Sequence, residues 1–193
     1  MRVMVPMLVA ALAVAGCFNE PEPASKSVPA EHRVYLGGRG LKEFPSINPG
    51  ADYLNLDRNS LTRIDGAEKL TELKWLRLNF NRLSALPDLK ALTKLRRIYL
   101  KGNSFTEVPK TLGDLPSLTD IDLSFNPISE VPQWLAEKKG LKNLSFTCTR
   151  VQALPENLEA WRSLQSLQLG DLQLSAEEMA RIRKALPDVA IAF

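Results

Sequence analysis

The sequence predicts an α/β solenoid. Each turn contributes one short parallel strand to a concave face, and loops and short helical turns return the chain on the convex face. Two observations predict it. A pattern built on Leu73, Leu76, Leu78, Asn81, Leu83 and Leu86-Pro87 returns from Leu95, Leu118 and Leu141, at spacings of 22, 23 and 23 residues. Self-similarity at such a period marks a stack of repeated units. Within each unit the Leu-x-Leu triplet alternates as a strand does, which sends both leucines to one face and the intervening residue to the other.

The units follow in order. After the first come Leu95, Ile98, Leu100, Asn103, Phe105 and Val108-Pro109, then Leu118, Ile121, Leu123, Asn126, Ile128 and Val131-Pro132. Leu141, Leu144, Phe146, Thr149, Val151 and Leu154-Pro155 form the next. Backwards, Ala51, Leu54, Leu56, Asn59, Leu61 and Ile64 form one more unit. Before it stand Val34, Leu36, Leu41 and Phe44-Pro45, with Arg39 in place of Asn. Forwards, Leu164, Leu167, Leu169 and Leu174 carry Leu172 at that position. Seven units thus span residues 31–174, the outer two degenerate as terminal units of stacks usually are. The motif resembles the leucine-rich repeat family. That resemblance implies a leucine-rich repeat solenoid, a right-handed horseshoe, with recognition on its concave strand face.

Each position has a physical task. The Asn turns the chain out of the strand and can both accept from and donate to backbone groups otherwise left unpaired. Asn59, Asn81, Asn103 and Asn126 are therefore expected to stack as a ladder, with Thr149 as a partial fifth rung. Pro after the next apolar residue fixes its own dihedral and suits the start of a helical turn. The return segments are short, so loops and turns are expected, with a helix in the stretch from Gln133 and Trp161 in the core. Phe80 and Phe125 precede ladder asparagines and are expected to pack between units. Residues 175–193 form a C-terminal cap. Ser175 and Glu178 are a capping box, Met179, Ile182 and Leu186 recur at helical spacing, and Val189 to Phe193 reads as a final strand. Arg181, Arg183 and Lys184 are expected on a solvated face.

The N-terminus reads as an address. Residues 1–16 place Arg2 before an apolar run that is too short to span a bilayer comfortably, the layout of a signal peptide. Val14-Ala15-Gly16-Cys17 resembles the lipobox of bacterial lipoproteins, which implies lipidation of Cys17 and removal of the preceding peptide. Residues 17–30 then hold the lipidated cysteine and a tether with three prolines, extended at about 3.1 Å per residue. The resemblance implies a lipid-anchored protein of the bacterial cell envelope. Phe18, where lipoproteins kept in the inner membrane often carry Asp, favours the outer membrane.

Charge and composition narrow the chemistry. The 193 residues are 45% hydrophobic and carry a formal net charge of +3, too small a charge to call for nucleic acid. One histidine, His32, and two cysteines, Cys17 and Cys148, leave no ligand set for a metal and no nucleophile with a neighbouring base. No catalytic residue, metal or cofactor is expected, and no small-molecule ligand.

The outward strand positions are uneven. Tyr35, Tyr53, Trp75, Arg77, Arg97, Tyr99 and Lys101 all fall in the first four units. The fifth offers Asp120 and Asp122, and the last two are small and uncharged. Aromatics and Arg grouped on a rigid face have the composition of a binding hot spot, although cross-strand packing uses the same residues. These seven are the candidate ligand-binding residues, with a protein partner expected and the membrane met through the lipid anchor. Two other readings remain open: a binder of envelope glycan or anionic polymer, and a non-catalytic regulatory subunit of an enzyme.

Overall fold

The computed structural model describes residues 32–193, so the expected signal peptide, Cys17 and the expected tether lie outside the described residues. Eight strands of three residues form one parallel sheet in sequence order. They are β1 (Arg33–Tyr35), β2 (Tyr53–Asn55), β3 (Trp75–Arg77), β4 (Arg97–Tyr99), β5 (Asp120–Asp122), β6 (Asn143–Ser145), β7 (Ser166–Gln168) and β8 (Ala190–Ala192). The register is in frame throughout: Arg33, Tyr53, Trp75, Arg97, Asp120, Asn143, Ser166 and Ala190 stand side by side. A slip of one residue would turn every leucine to solvent, so the apolar pattern alone fixes this alignment.

The return segments are as short as their length demands. Three 3₁₀ turns, Ala67–Lys69, Lys110–Leu112 and Glu159–Ser163, and one helix, α1 (Gln133–Glu137), fill them. Pro109 and Pro132 stand immediately before the second turn and α1 with extended ψ, at the place where a missing N–H costs nothing. Between sheet and returns runs one continuous core. Leu54, Leu76, Ile98, Ile121, Leu144 and Leu167, the central strand residues, are all fully buried, and Phe105, Phe146 and Trp161 are the largest side chains fully buried with them. Each such side chain contributes about 1.5–3 kcal/mol by leaving water. Trp134 lies half-buried against Gly113 on the return side.

The asparagines hold neighbouring turns together. Asn103 Oδ1 accepts from Leu83 N at 3.0 Å, while its amide donates to Leu78 O at 2.9 Å and Leu100 O at 2.8 Å. Asn81 and Asn126 repeat these bonds with Leu61 and Phe105, and Asn59 does so with Leu41. Thr149 departs from the expectation. Its hydroxyl is buried without a partner, because a side chain one atom shorter than Asn, with no amide, cannot reach both strands.

The cap does more than cover the last turn. Its helix, α2 (Ala176–Ala185), starts on Ser175, whose Oγ accepts from Glu178 N at 3.1 Å, and β8 then extends the sheet beside β7. Glu178 does not close the box back onto Ser175; its carboxylate accepts from Leu154 N at 2.8 Å. Arg181, expected on a solvated face, is a correction. Its guanidinium donates to Leu154 O at 2.9 Å and Glu156 O at 3.2 Å, and it pairs with Glu178 at 2.7 Å. Those carbonyls are the open end of the sixth turn, where no further Asn is available. The pairing holds Glu178 below and Arg181 above their ordinary proton affinities.

Candidate binding face

The outward side of β1 to β4 brings the seven candidate residues onto one surface. The rings of Tyr35, Tyr53, Trp75 and Tyr99 form a continuous row across it, with successive centroids 5.1, 5.5 and 5.9 Å apart. The cations lie on these rings. Arg97 sits 4.6 Å above Trp75, and Arg77 lies 5.7 Å from Tyr99 while holding Asp57 at 2.7 Å. Such ring and cation contacts each stabilise by about 0.5–1.5 kcal/mol.

Exposure separates the group. Tyr35 keeps 45% of its surface in solvent, whereas Tyr53, Trp75 and Tyr99 keep 3%, 8% and 4%. They bury one another as a small second cluster on the outside of the sheet. The physical reason is spacing: parallel strands about 4.8 Å apart leave no room for neighbouring large rings to stand upright, so each lies over the next. The aromatics therefore form a rigid floor. What reaches outward is the Tyr35 ring, the half-buried guanidiniums of Arg77 and Arg97, and Lys101.

Beyond β4 the face changes character. Asp120 accepts from Asn143 at 2.6 Å and from the Thr119 hydroxyl, and faces Arg97 Nε at 3.8 Å. Asp122 is buried with its carboxylate on Ser124 N at 2.9 Å, and burial pushes its proton affinity up despite that bond. The hydroxyls of Ser124 and Ser145 bond to each other at 2.6 Å. This half is small, polar and internally satisfied.

Asp122 yields a pH prediction. A carboxyl whose folded pKa is raised above its unfolded value of about 3.9 binds protons more tightly when folded, so it detracts from stability above that range. Asp122→Asn keeps the acceptor for Ser124 N and removes the charge. The variant is expected to match or exceed the parent at neutral pH, with its advantage shrinking as the pH falls into the carboxylate range. Urea midpoints at the two pH values check this; a variant that is weaker at neutral pH and recovers in acid would reverse the sign.

Elsewhere the chemistry is sparse. Among the described residues no cluster of His, Cys, Asp and Glu could hold a metal ion. The Cys148 thiol lies 3.3 Å from Asp171 Oδ2, and His32 is exposed at the start of β1.

Two residues expected to pack between units are also surface features; Phe80 does lie against Gly102 of the next unit. Phe80 and Phe125 keep 44% and 46% of their area exposed. The residue before each ladder position has a left-handed backbone: Gly38, Arg58, Phe80, Gly102, Phe125, Cys148 and Asp171 all have φ between 54° and 67°. That conformation turns the side chain away from the core. Glycine at two of these seven places was the available signal.

Comparison with known proteins agrees with this architecture. The family described as leucine rich repeat matches the chain over residues 71–128. Keratocan of Bos taurus is 36% identical over 88 residues, which is 41% of this chain and 24% of that one. Lumican of Homo sapiens is 34% identical over 92 residues, 42% of this chain and 27% of its own. The chain spans about a quarter of the length of these curated relatives. Among solved structures, an internalin of Listeria monocytogenes superposes with a TM-score of 0.61 at 24% identity, over 79% of this chain and 44% of that one. At that identity the likeness is one of fold.

Proposed function

We propose that this leucine-rich repeat solenoid is a recognition module of a bacterial cell envelope, anchored by lipid at Cys17 and binding a protein partner on the outer face of β1 to β4. One observation carries the reading: the aromatic floor and the cations stacked on it are confined to the first four strands, while β6 and β7 present Asn143, Ser145, Ser166 and Gln168. A floor whose rings already hold one another loses little side-chain freedom when a partner arrives, and preorganisation of that kind strengthens binding. Tyr35, Arg77, Arg97 and Lys101 are the contacts; Tyr53, Trp75 and Tyr99 support them. The activity is non-covalent recognition.

Crosslinking the full chain in envelopes of the source cell and recovering it tests the reading. A stoichiometric protein is expected, and Tyr35→Ala with Arg97→Ala should reduce its recovery by about tenfold or more. Trp75 is left intact, since its truncation would test packing. Recovery of glycan alone, or undiminished recovery by the double variant, would remove this face from consideration. In the same preparation Cys17→Ser should move the chain to the soluble fraction; continued membrane partition would sink the anchor.

A further inference from the structure

The left-handed positions beside the ladder carry a second surface that the strand face does not include. Along the edge where the chain leaves the sheet, cations and rings alternate over four successive turns: Arg58, Phe80, Lys101, Phe125. The Arg58 guanidinium lies 5.8 Å from the Phe80 ring, and Lys101 Nζ lies 5.6 Å from Phe80 and 4.9 Å from Phe125. Strand spacing makes the row about 14 Å long. Phe80 leans over Gly102 so closely that a Cβ there would sit 2.6 Å from its ring. Glycine at residue 102 thus answers two demands, a φ of +66° and a place for the ring.

Two facts make this more than decoration. Phe80 and Phe125, with Tyr35, are the large apolar side chains left in solvent among the described residues, and both occupy a backbone conformation that disfavours side chains. The edge is also mainly basic. Arg39, Arg82 and Arg150 are exposed in the same turns of their units, Asp57 next to Arg58 is taken up by Arg77, and the carboxylate among the left-handed positions is Asp171 at the far end. The charges of Arg58 and Lys101 lie on aromatic faces, where an anion can reach them, and Lys101 also acts on the buried Asp122.

We propose that this cation–aromatic edge is a docking strip for an acidic, extended segment of a protein partner. Carboxylates of the segment meet Arg58 and Lys101, and the aliphatic carbons between them lie along the edges of Phe80 and Phe125. The geometry favours an acidic peptide over a sugar or a nucleobase because stacking needs an open ring face. Here the Phe80 ring is taken by Arg58, Lys101 and the Gly102 backbone, and Lys101 also lies over Phe125. The strip is separate from the strand face, sharing only Lys101 with it, so the two can be tested apart.

Fluorescence anisotropy on the full chain tests it with three labelled probes: a dodecapeptide alternating Glu and Val, its Lys–Val counterpart, and a thymidine dodecanucleotide. The acidic peptide is expected to bind, more weakly as salt rises, and the Lys–Val peptide not to bind. Phe80→Asn with Phe125→Asn should weaken the acidic peptide by about tenfold with an unchanged circular dichroism spectrum, since Asn tolerates the left-handed backbone. Lys101→Glu should abolish binding, and Tyr35→Ala with Arg97→Ala should leave it intact. Tighter binding of the oligonucleotide, equal binding of the two peptides, or an acidic peptide indifferent to the loss of both rings would overturn the proposal.

Discussion

Trp161→Ala is expected to lower the stability of the domain by about 4 kcal/mol, since truncating a fully buried indole adds a cavity to the lost transfer energy. Trp161 is 0% exposed, and its Nε1 donates to Leu135 O at 2.9 Å, tying the last return turn to α1. Removing the indole therefore also leaves Leu135 O with the longer bond from Lys138 N, at 3.2 Å, in its place. Trp161→Phe separates the two contributions: it keeps most of the volume and loses the hydrogen bond, for about 1.5 kcal/mol. Urea denaturation followed by circular dichroism reads both. Equal midpoints for the two variants would mean the cavity does not matter, and parent-like midpoints would mean the end of the stack does not contribute to the measured unfolding.

The second large effect belongs to the ladder. Asn103→Ala leaves Leu83 N without its acceptor and takes one of two amide donors from the carbonyls of Leu78 and Leu100, which keep Asn81 and Asn126. A loss of about 2 kcal/mol is expected, because a stranded buried N–H costs more than the net worth of the bond it made. The mirror experiment is Thr149→Asn. The Thr149 hydroxyl is already orphaned, and an amide there supplies the missing rung, for a gain of about 1 kcal/mol. Opposite shifts of the urea midpoint are the expected pattern. A neutral Asn103→Ala would show that water satisfies these groups as well as the amide does.

The sheet was legible because its cause is periodic. Leu54, Leu76, Ile98 and their equivalents repeat at the interval of one turn, and a strand has only two faces, so the register of Tyr53 beside Trp75 beside Arg97 follows from counting. Side-chain exposure was not legible in the same way. Trp75 and Tyr99 occupy outward positions yet are covered, since whether a ring stands or lies depends on the size of its neighbours across the sheet. The exposure of Phe80 and Phe125 was hidden for the opposite reason: a left-handed backbone just before the Asn turns them outward, and only Gly38 and Gly102 hint at it. Arg181 was misplaced because its partners are carbonyls 25 to 27 residues back in the chain. No local pattern encodes those contacts.

The ladder has a direction. Every Asn reaches backwards, so Asn59 closes the turn of Leu41, Asn81 that of Leu61, Asn103 that of Leu83, and Asn126 that of Phe105. At the far end Glu178 and Arg181 do the same for Leu154. Each turn is thus completed by its successor and owes nothing of this kind to its predecessor. Loss of a turn from the front leaves every later closure in place, while loss of one from the back opens the turn before it. A stack built this way can change length at its N-terminal end, provided the C-terminal clasp is kept.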